Sequence, residues 1–275
     1  MENIKISIVT ASYNYAHFIN ETIQSVIAQT YSNWELIVVD DGSKDNSVDV
    51  IQEFCRKDGR IKLFQHENGV NKGLKETVLF GIEQATGDYV AFLESDDIWV
   101  ENYLEEKVKI AKEFPQAKVI FNDVELFGDE VVIEEYDKYF ELNCKFLAKK
   151  KYPTNLFNGF SFQNLVPTFS CVMVEINALK TADFNSSVQA FMDHWAWAHL
   201  AYDNDFYYID KKLTKWRMHS SSYIEQSEQG NRKEFLPSLL KSFQEKGFKK
   251  RMFFWNRHKH PKIEKIFRGL FRNFV

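Results

Sequence analysis

The chain has 275 residues, of which 44% are hydrophobic and 16% aromatic, and its formal net charge at pH 7 is −4. This composition excludes disorder as the main state, and the length fits one large α/β domain, with or without an appendage. Three scattered cysteines without a CxxC spacing argue against a disulfide scaffold and a structural zinc site, and favour a reducing compartment.

The first half of the chain alternates strand and helix patterns. Residues 4–9 predict a first strand that ends at residues 10–14, and residues 19–27 follow with apolar side chains at helical spacing. A continuous apolar run at residues 36–39 predicts a second strand that is covered on both faces, as in a parallel sheet. This strand ends in Asp40-Asp41-Gly42-Ser43.

The same alternation continues to about residue 121. It predicts a helix at residues 48–55, a strand at 61–64, a helix at 74–85 and a strand at 89–93. We expect the helix before Gly87 to stop there, because glycine tolerates the positive φ that often ends a helix. The next strand runs directly into Glu94-Ser95-Asp96-Asp97. A helix at 102–114 and a strand at 119–121 complete an open, mainly parallel α/β sheet of the nucleotide-binding kind.

The second half of the chain is less regular. Residues 125–170 have aromatic clusters without a clean period, and we expect mixed structure there. Asp193 begins a strongly aromatic helix, and a strand is expected at about residues 206–209. Residues 226–275 hold 13 Lys and Arg against 4 Asp and Glu, while the rest of the chain holds 22 against 35. The body of the chain is therefore acidic and its tail is basic.

Signals for export or membrane insertion are not evident in the sequence. Residues 1–8 alternate polar and apolar side chains and do not resemble a secretory signal. The apolar runs are all shorter than the roughly 20 residues that span a membrane. We therefore expect a cytoplasmic protein, peripheral on the inner face of the cell membrane if its tail docks there.

Carboxylates follow two of the predicted strands, at Asp40-Asp41 and at Asp96-Asp97. In a parallel sheet these strand ends meet at the edge where ligands bind, so the acids would repel each other unless a cation or hydrogen-bond donors compensate them. Mg²⁺ or Mn²⁺ accepts such oxygen ligands together with the phosphates of a substrate. The alternative is that these residues only end strands and cap helices.

Five short motifs occur in a fixed order along the chain. They are ISIVTASYN at residues 6–14, QTY at 29–31, WELIVVDDGS at 34–43, ATGDY at 85–89 and SDD at 95–97. Together they resemble the inverting glycosyltransferases of family 2, which have the GT-A fold, and two weaker motifs extend the likeness to about residue 223. The resemblance implies transfer of a sugar from a nucleotide diphosphate-sugar to an acceptor hydroxyl, in surface polysaccharide or glycolipid assembly.

The resemblance also implies where the nucleotide binds. Thr10, Ala11 and Tyr13 would hold the base, with Tyr13 near or against its ring, and Asp41 would accept a hydrogen bond from the base edge. An aromatic face and a carboxylate suit a base with an imide N–H, and a pyrimidine, usually uracil, is implied. The donor is therefore expected to be a UDP-sugar. A half-buried packing residue is the alternative for Tyr13.

Lys72 is a candidate contact for the diphosphate of the donor. Many relatives carry an Arg and an Asn further along this segment, where this chain has Val78 and Leu79. This departure leaves the exact set of phosphate contacts open.

A divalent metal is the cofactor that the resemblance implies. Asp96 would meet the ribose and Asp97 would ligate Mn²⁺ or Mg²⁺, because the charge that develops on the leaving diphosphate must be neutralised. In WRMHSSS, at residues 216–222, His219 would complete the metal or diphosphate site and Arg217 would support it. Without the resemblance, Arg217 and His219 would be taken as ordinary surface residues.

Asp193 is the candidate catalytic base. It lies in FMDHW, which resembles a Glu-Asp motif whose second acid takes the proton of the acceptor hydroxyl, and Met192 replaces the usual Glu. The alternative is that Asp193 only caps its helix.

These patterns predict a GT-A-like domain at residues 1–225 and a helical, basic, aromatic extension at 226–275. Residues 1–123 would form the nucleotide-sugar-binding half, and 124–225 the half that faces a glycan or lipid-linked acceptor. The tail has two interpretations: an interfacial element for anionic lipids, or a helical appendage that packs on the domain or on another subunit. Nucleic-acid binding is not expected, because no known module is present.

Two other functions remain open on the sequence. A nucleotidyltransferase also binds nucleotides and a metal on an α/β sheet, but normally shows a glycine-rich phosphate loop with a basic residue, and residues 10–14 contain no glycine. A catalytically silent sugar- or membrane-binding module is the second alternative, which the replacement at Met192 keeps open.

Overall fold

The computed structural model describes residues 3–160, 163–186, 191–220 and 232–246. The strands are β1 (Ile6–Ser12), β2 (Trp34–Asp40), β3 (Ile61–Gln65), β4 (Tyr89–Phe92), β5 (Ile98–Trp99), β6 (Ala117–Gly128), β7 (Val172–Glu175) and β8 (Asp205–Met218). The α-helices are α1 (Ile19–Ile27), α2 (Ser47–Lys57), α3 (Leu74–Glu83), α4 (Tyr103–Glu113), α5 (Glu130–Ala148), α6 (Phe157–Phe160), α7 (Ile176–Leu179), α8 (Met192–Asp203) and α9 (Arg232–Glu245).

All eight strands form one sheet in the order β3-β2-β1-β4-β7-β6-β8-β5. The first four strands in this order are parallel. Strand β7 is antiparallel to both β4 and β6, and β8 is parallel to β6 and antiparallel to β5. The expected open, mainly parallel α/β sheet is thus confirmed, with an antiparallel β7 between β4 and β6.

Both faces of the sheet are buried. Helices α1, α2 and α4 cover one face, where Ile23, Ile51 and Leu104 pack with Ile8. Helices α3, α8 and α9 cover the other face, where Val78 and Trp197 join the same apolar cluster as Val9 and Phe92. A strand covered on both sides has no polar face, which is why β2 is apolar at consecutive positions.

Gly87 has a different role from the one expected. Helix α3 ends at Glu83, before this glycine. A Cβ atom at Gly87 would lie 2.7 Å from the carbonyl oxygen of Lys5 and 2.7 Å from the backbone nitrogen of Ser7. The glycine is required because two backbone segments approach closely at this point.

The region expected to have mixed structure contains two long elements. Strand β6 continues to Gly128, and the 19-residue helix α5 follows it. Strand β8 has 14 residues and pairs with β6 along most of that length, across several register shifts. The strand expected at residues 119–121 therefore pairs with β7 and β8, and it is separated from β4 by β7.

The described part of the C-terminal extension packs on the domain. Phe235, Leu239 and Phe243 of α9 are buried in the cluster that also contains Trp197 of α8. The basic and aromatic residues expected to form an interfacial element, at 249–274, lie outside the described residues. Within the described ranges, the structure has no helix with the length and apolar character needed to cross a membrane.

Candidate active site

A cavity of about 730 Å³ opens where β1, β2 and β4 end. Six of the ten candidate site residues line it, namely Ala11, Tyr13, Asp41, Asp96, Asp193 and Arg217. Four others, namely Thr10, Lys72, Asp97 and His219, are not among its lining residues, although His219 contacts Asp96. The residues chosen from separate motifs therefore converge largely on one space.

The two carboxylates that follow β2 have different partners. Asp40 is fully buried, and its Oδ1 accepts hydrogen bonds of 3.1 Å from the backbone amides of Gly42 and Ser43. Its carboxylate therefore stabilises the turn that follows β2. Asp41 accepts the backbone amides of Lys72 at 2.7 Å and Gly73 at 2.9 Å. Asp41 also lines the cavity, so it can still accept a bond from a ligand.

His66 was not linked to the site by the sequence. Its Nε2 lies 3.0 Å from Oγ1 of Thr77 and 3.6 Å from Oδ1 of Asp41. The hydroxyl of Thr77 donates to the carbonyl of Gly73 at 2.9 Å, so its oxygen accepts the proton on Nε2 of His66. His66 thus lies directly behind the carboxylate of Asp41. The partners are too far apart in sequence for any spacing rule to join them.

The loop after β1 also lines this end of the cavity. Tyr13 is 44% exposed and lines the cavity, whereas Thr10 is buried within β1. Asn14 has a φ of 56°, and its side-chain oxygen accepts the backbone amide of Lys44 at 2.7 Å. Its own amide donates to the hydroxyl of Ser43 at 2.9 Å. These bonds fix the loop that carries Tyr13 against the turn after β2.

Asp96 and His219 form a pair beside the cavity. Nε2 of His219 lies 3.0 Å from Oδ2 of Asp96. Arg217 donates from Nε to the backbone oxygen of Asp96 at 2.8 Å, and its guanidinium lies between the rings of Phe18 and Phe127, at 4.5 and 4.4 Å from their centroids. Arg217 therefore stabilises the backbone of Asp96 beside His219. Its guanidinium also forms an ion pair with Glu21.

Asp97 lies behind this pair. It is fully buried, and its Oδ1 accepts the backbone amide of Arg217 at 2.9 Å. Burial first, and then the charges of Asp96 and Glu94, raise the pKa of Asp97 above its usual range. Among the described residues, Asp96 lines the cavity, whereas Asp97 is not one of its lining residues.

The donor set at Asp96 suits a divalent ion that is shared with a substrate. One carboxylate oxygen and one imidazole nitrogen lie side by side there, and both are ligand types for Mn²⁺. In the part of the chain that the structure describes, no cluster of three His, Cys, Asp or Glu side chains could hold an ion by itself. Such an ion would take its remaining ligands from phosphate oxygens and water.

Glu94 was missed as a site residue. Its carboxyl accepts the hydroxyl of Thr168, and its backbone amide donates to Oγ of Ser170 at 2.9 Å. Burial first, and then the charges of Asp96 and Asp193, raise the pKa of Glu94 to about 8. The sequence offered one signal, because Glu94 precedes Asp96 by two residues at the end of β4.

Asp193 lies in the first turn of α8 and lines the cavity. Burial raises its pKa to about 6, while backbone amides of the first turn and the side chain of Asn164 lower it in part. Nδ2 of Asn164 donates to Oδ2 of Asp193 at 2.7 Å. The helix begins one residue earlier, at Met192, and its cap is Phe191. Asp193 therefore lies inside the first turn of the helix and lines the cavity.

Comparisons with known proteins show similarity to glycosyltransferases. The model of the family described as Glycosyl transferase family 2 matches residues 7–176. The chain is 29% identical over 226 residues to UDP-Glc:alpha-D-GlcNAc-diphosphoundecaprenol beta-1,3-glucosyltransferase WfgD of Escherichia coli, covering 81% of this chain and 80% of that protein. It is also 29% identical to the uncharacterized glycosyltransferase RC0461 of Rickettsia conorii, covering 79% of this chain and 33% of that protein.

Solved structures show the same fold. TarS 1–349 of S. aureus matches with a TM-score of 0.60 and 18% identity, over 78% of this chain and 60% of that chain. The mannosyltransferase PcManGT from Pyrobaculum calidifontis, in complex with GDP-Man and Mn²⁺, matches with a TM-score of 0.64 and 14% identity, over 89% of this chain and 65% of that chain.

Proposed function

The chain belongs to glycosyl transferase family 2 and has the GT-A fold, and from this premise we propose that it is an inverting enzyme that transfers a sugar from a UDP-sugar to an acceptor hydroxyl. One observation carries the proposal: a single cavity is lined by Asp41, Asp96 and Asp193. Asp41 directly follows β2, Asp96 lies between β4 and β5, and Asp193 lies in α8. Each of these carboxylates suits a different part of the reaction.

The nucleotide binds at the end of the cavity formed by Tyr13 and Asp41. The carboxylate of Asp41 is held in place by the amides of Lys72 and Gly73, and a carboxylate oxygen can accept one more bond, from the imide N–H of uracil. The exposed ring of Tyr13 offers a face for the base. Lys72 contributes a backbone amide to this site, and a contact between its side chain and the diphosphate remains a prediction.

The diphosphate lies near Asp96 and His219, which would hold a divalent metal. When bound there, Mn²⁺ or Mg²⁺ would neutralise the charge that develops on the leaving diphosphate. We assign the metal contact to Asp96 because it lines the cavity, whereas Asp97, the residue expected from the sequence, is fully buried and is not among the lining residues. The hydrogen bond from Nε of Arg217 to the backbone oxygen of Asp96 fixes the position of Asp96 and of its neighbour Asp97.

Asp193 acts as the base. The acceptor oxygen forms a bond to the anomeric carbon while the bond from that carbon to the diphosphate oxygen breaks, and the acceptor proton passes to the carboxylate of Asp193. With a pKa of about 6, this carboxylate is ionised at neutral pH and is a stronger base than an exposed aspartate. The attack comes from the face opposite the leaving group, which inverts the anomeric configuration.

A glycan or lipid-linked sugar is the acceptor that we propose. The E. coli relative is named for transfer onto a GlcNAc-diphosphoundecaprenol, and it is covered over 80% of its length. An acceptor of this kind lies at a membrane surface, so we propose that the enzyme acts at the cytoplasmic face. Docking through the C-terminal tail remains a prediction on residues outside the described ranges.

The test is a panel of nucleotide-sugars with Mn²⁺ or Mg²⁺, scored for release of nucleotide diphosphate and for transfer to an undecaprenyl diphosphate-linked sugar. We expect turnover with a UDP-sugar and loss of transfer, by at least about 100-fold, in Asp193→Asn. Asp203→Asn, at the far end of α8, is the control and should retain activity. Retained donor binding without any turnover in the unaltered protein would instead favour the catalytically silent module.

A further inference from the structure

The part of the cavity between the diphosphate and the base must hold the sugar of the donor. Glu94 lies in this part, because it lines the same cavity as Asp96 and Asp193 and its carboxyl group accepts the hydroxyl of Thr168. Thr168 and Met192 line the same region. We call Glu94, Thr168, Met192 and Asp193 the sugar end of the cavity.

The sugar end combines acidic groups with apolar surface. Its two titratable side chains are the carboxyls of Glu94 and Asp193, and the hydroxyl of Thr168 is bonded to Glu94. Phe92 and Phe169 line the cavity beside them, with ring centroids 5.1 Å apart. A ligand group placed there meets carboxyl oxygens and hydrocarbon, which suit hydroxyl donors and the C–H faces of a sugar ring.

Positive charge is scarce among the described residues that line the cavity. Arg217 is the one Lys or Arg among the described residues that line the cavity, and its guanidinium is paired with Glu21 between two aromatic rings. The internal segments 161–162, 187–190 and 221–231 contain no Lys or Arg in the sequence. A negatively charged sugar therefore finds no cationic partner in the described sugar end.

We propose that the donor carries an uncharged sugar, a hexose or an N-acetylhexosamine, and that the sugar end rejects uronic acids. The inference rests on the proposed function and adds the charge class of the substrate. The carboxylate of a uronic acid would be brought near the ionised carboxylate of Asp193 in a partly buried site, where like charges about 5 Å apart repel strongly. That repulsion corresponds to a discrimination on the order of 100-fold.

Matched donor pairs test the inference. The pairs are UDP-glucose and UDP-glucuronic acid, UDP-galactose and UDP-galacturonic acid, and UDP-N-acetylglucosamine and UDP-N-acetylglucosaminuronic acid. The two members of each pair differ only in the group at C6, so their nucleotide contacts are the same. We expect kcat/KM for the better neutral sugar to exceed that of its uronic acid partner by more than about 30-fold. A smaller preference, or a preference for the uronic acid, overturns the inference while leaving UDP-sugar transfer intact. If no nucleotide-sugar is turned over, the proposed function itself fails.

A charge variant adds a second measurement. Met192 is buried beside Asp193, so Met192→Lys introduces a cation into the sugar end, and Met192→Gln is a control of similar length without charge. We expect Met192→Lys to narrow the ratio of neutral to uronic donor by at least about tenfold relative to Met192→Gln, whatever the total activity. An equal ratio in both variants contradicts the electrostatic cause. Binding of UDP, measured by competition, shows that each variant is folded.

Discussion

The side-chain amide of Asn164 donates a hydrogen bond of 2.7 Å to Oδ2 of Asp193, across 29 residues of sequence. Burial makes the carboxylate of Asp193 a stronger base, and this donor limits the effect by stabilising the charged form. Asn164 is itself held, because its Oδ1 accepts the amide of Val166 at 3.2 Å. The hydrogen bond from Asn164 therefore sets the orientation of the Asp193 carboxylate and limits the rise of its pKa.

Transfer should lose activity as the pH falls through about 6, because protonated Asp193 cannot accept the proton of the acceptor. Asn164→Leu removes a donor to the charged form, so the pKa of Asp193 should rise and the acidic limb of kcat/KM should move upward by about one pH unit. The measurement is the pH profile of transfer in the two proteins. Asn177→Leu is the control, since it breaks an amide–carboxylate bond of 2.7 Å to Glu175, which does not line the cavity. An unmoved acidic limb in Asn164→Leu would mean that Asp193 is not the group that titrates.

Asp96 and Asp97 should respond differently to substitution. Asp96→Asn removes the carboxylate that faces the cavity and should raise the Mn²⁺ concentration for half-maximal activity by at least about tenfold. Asp97→Asn keeps an oxygen that can accept the amide of Arg217, so its metal dependence should stay close to that of the unaltered protein. Titration of activity with Mn²⁺ separates the two. The opposite ranking would return the metal contact to Asp97, as the sequence motif implied.

Asp97→Ala provides a check on the buried role of this residue. Without an acceptor at this position, the amide of Arg217 would be left buried and unpaired, and stability should fall by about 1–3 kcal/mol. Denaturant unfolding compares Asp97→Ala with Asp97→Asn, which keeps the acceptor. Equal stability of the two variants would contradict this account of the contact.

The sequence predicts best where local pattern and burial agree. Strands β1 to β4 and the helices between them follow from apolar runs and helical spacing, because each is covered on the faces that the pattern indicates. The motifs also locate Asp41, Asp96 and Asp193 on one cavity. Strand β8 is longer than its local pattern predicts, because its charged positions are tolerated through pairing with β6, which lies far away in the sequence.

Contacts between distant segments are what the sequence could not predict. The choice between Asp96 and Asp97 depends on where the backbone of Arg217 lies, 120 residues from Asp97. His66 reaches Asp41, and Thr168 reaches Glu94, from separate loops without any shared spacing. The sequence neighbours of Gly87 predict a helix end there, whereas in the structure the close approach of the Lys5 backbone requires a residue without a side chain.

Helix α9 packs against α8 and should stabilise the position of Asp193, the proposed base. The ring of Phe235 is buried and lies 5.0 Å from that of Phe191 and 4.9 Å from that of His194. Phe191 and His194 are the cap and a first-turn residue of α8. Phe235→Ala should lower stability by about 3–5 kcal/mol and should reduce kcat more than the affinity for the donor. Thermal unfolding and steady-state kinetics measure both effects. Gln244→Ala, at an exposed position of α9, is the control, and an equal loss of donor affinity in Phe235→Ala would argue against a role specific to Asp193.

Gly42 should be essential for the shape of the nucleotide end. It has a φ of 80°, and a Cβ atom there would lie 2.6 Å from the carbonyl oxygen of Gly69. Gly42→Ala must therefore adopt a strained conformation and displace the loop whose amides at Lys72 and Gly73 hold Asp41.

We expect Gly42→Ala to lower the free energy of unfolding by about 1–3 kcal/mol and to weaken UDP binding by at least about tenfold, because the carboxylate of Asp41 loses its fixed position. Gly59→Ala is the matched control, since a Cβ atom there meets nothing within 4 Å. Denaturant unfolding and calorimetric titration with UDP give the two quantities. If Gly42→Ala is destabilised but binds UDP normally, the turn matters for folding alone and Asp41 does not depend on it for contact with the base.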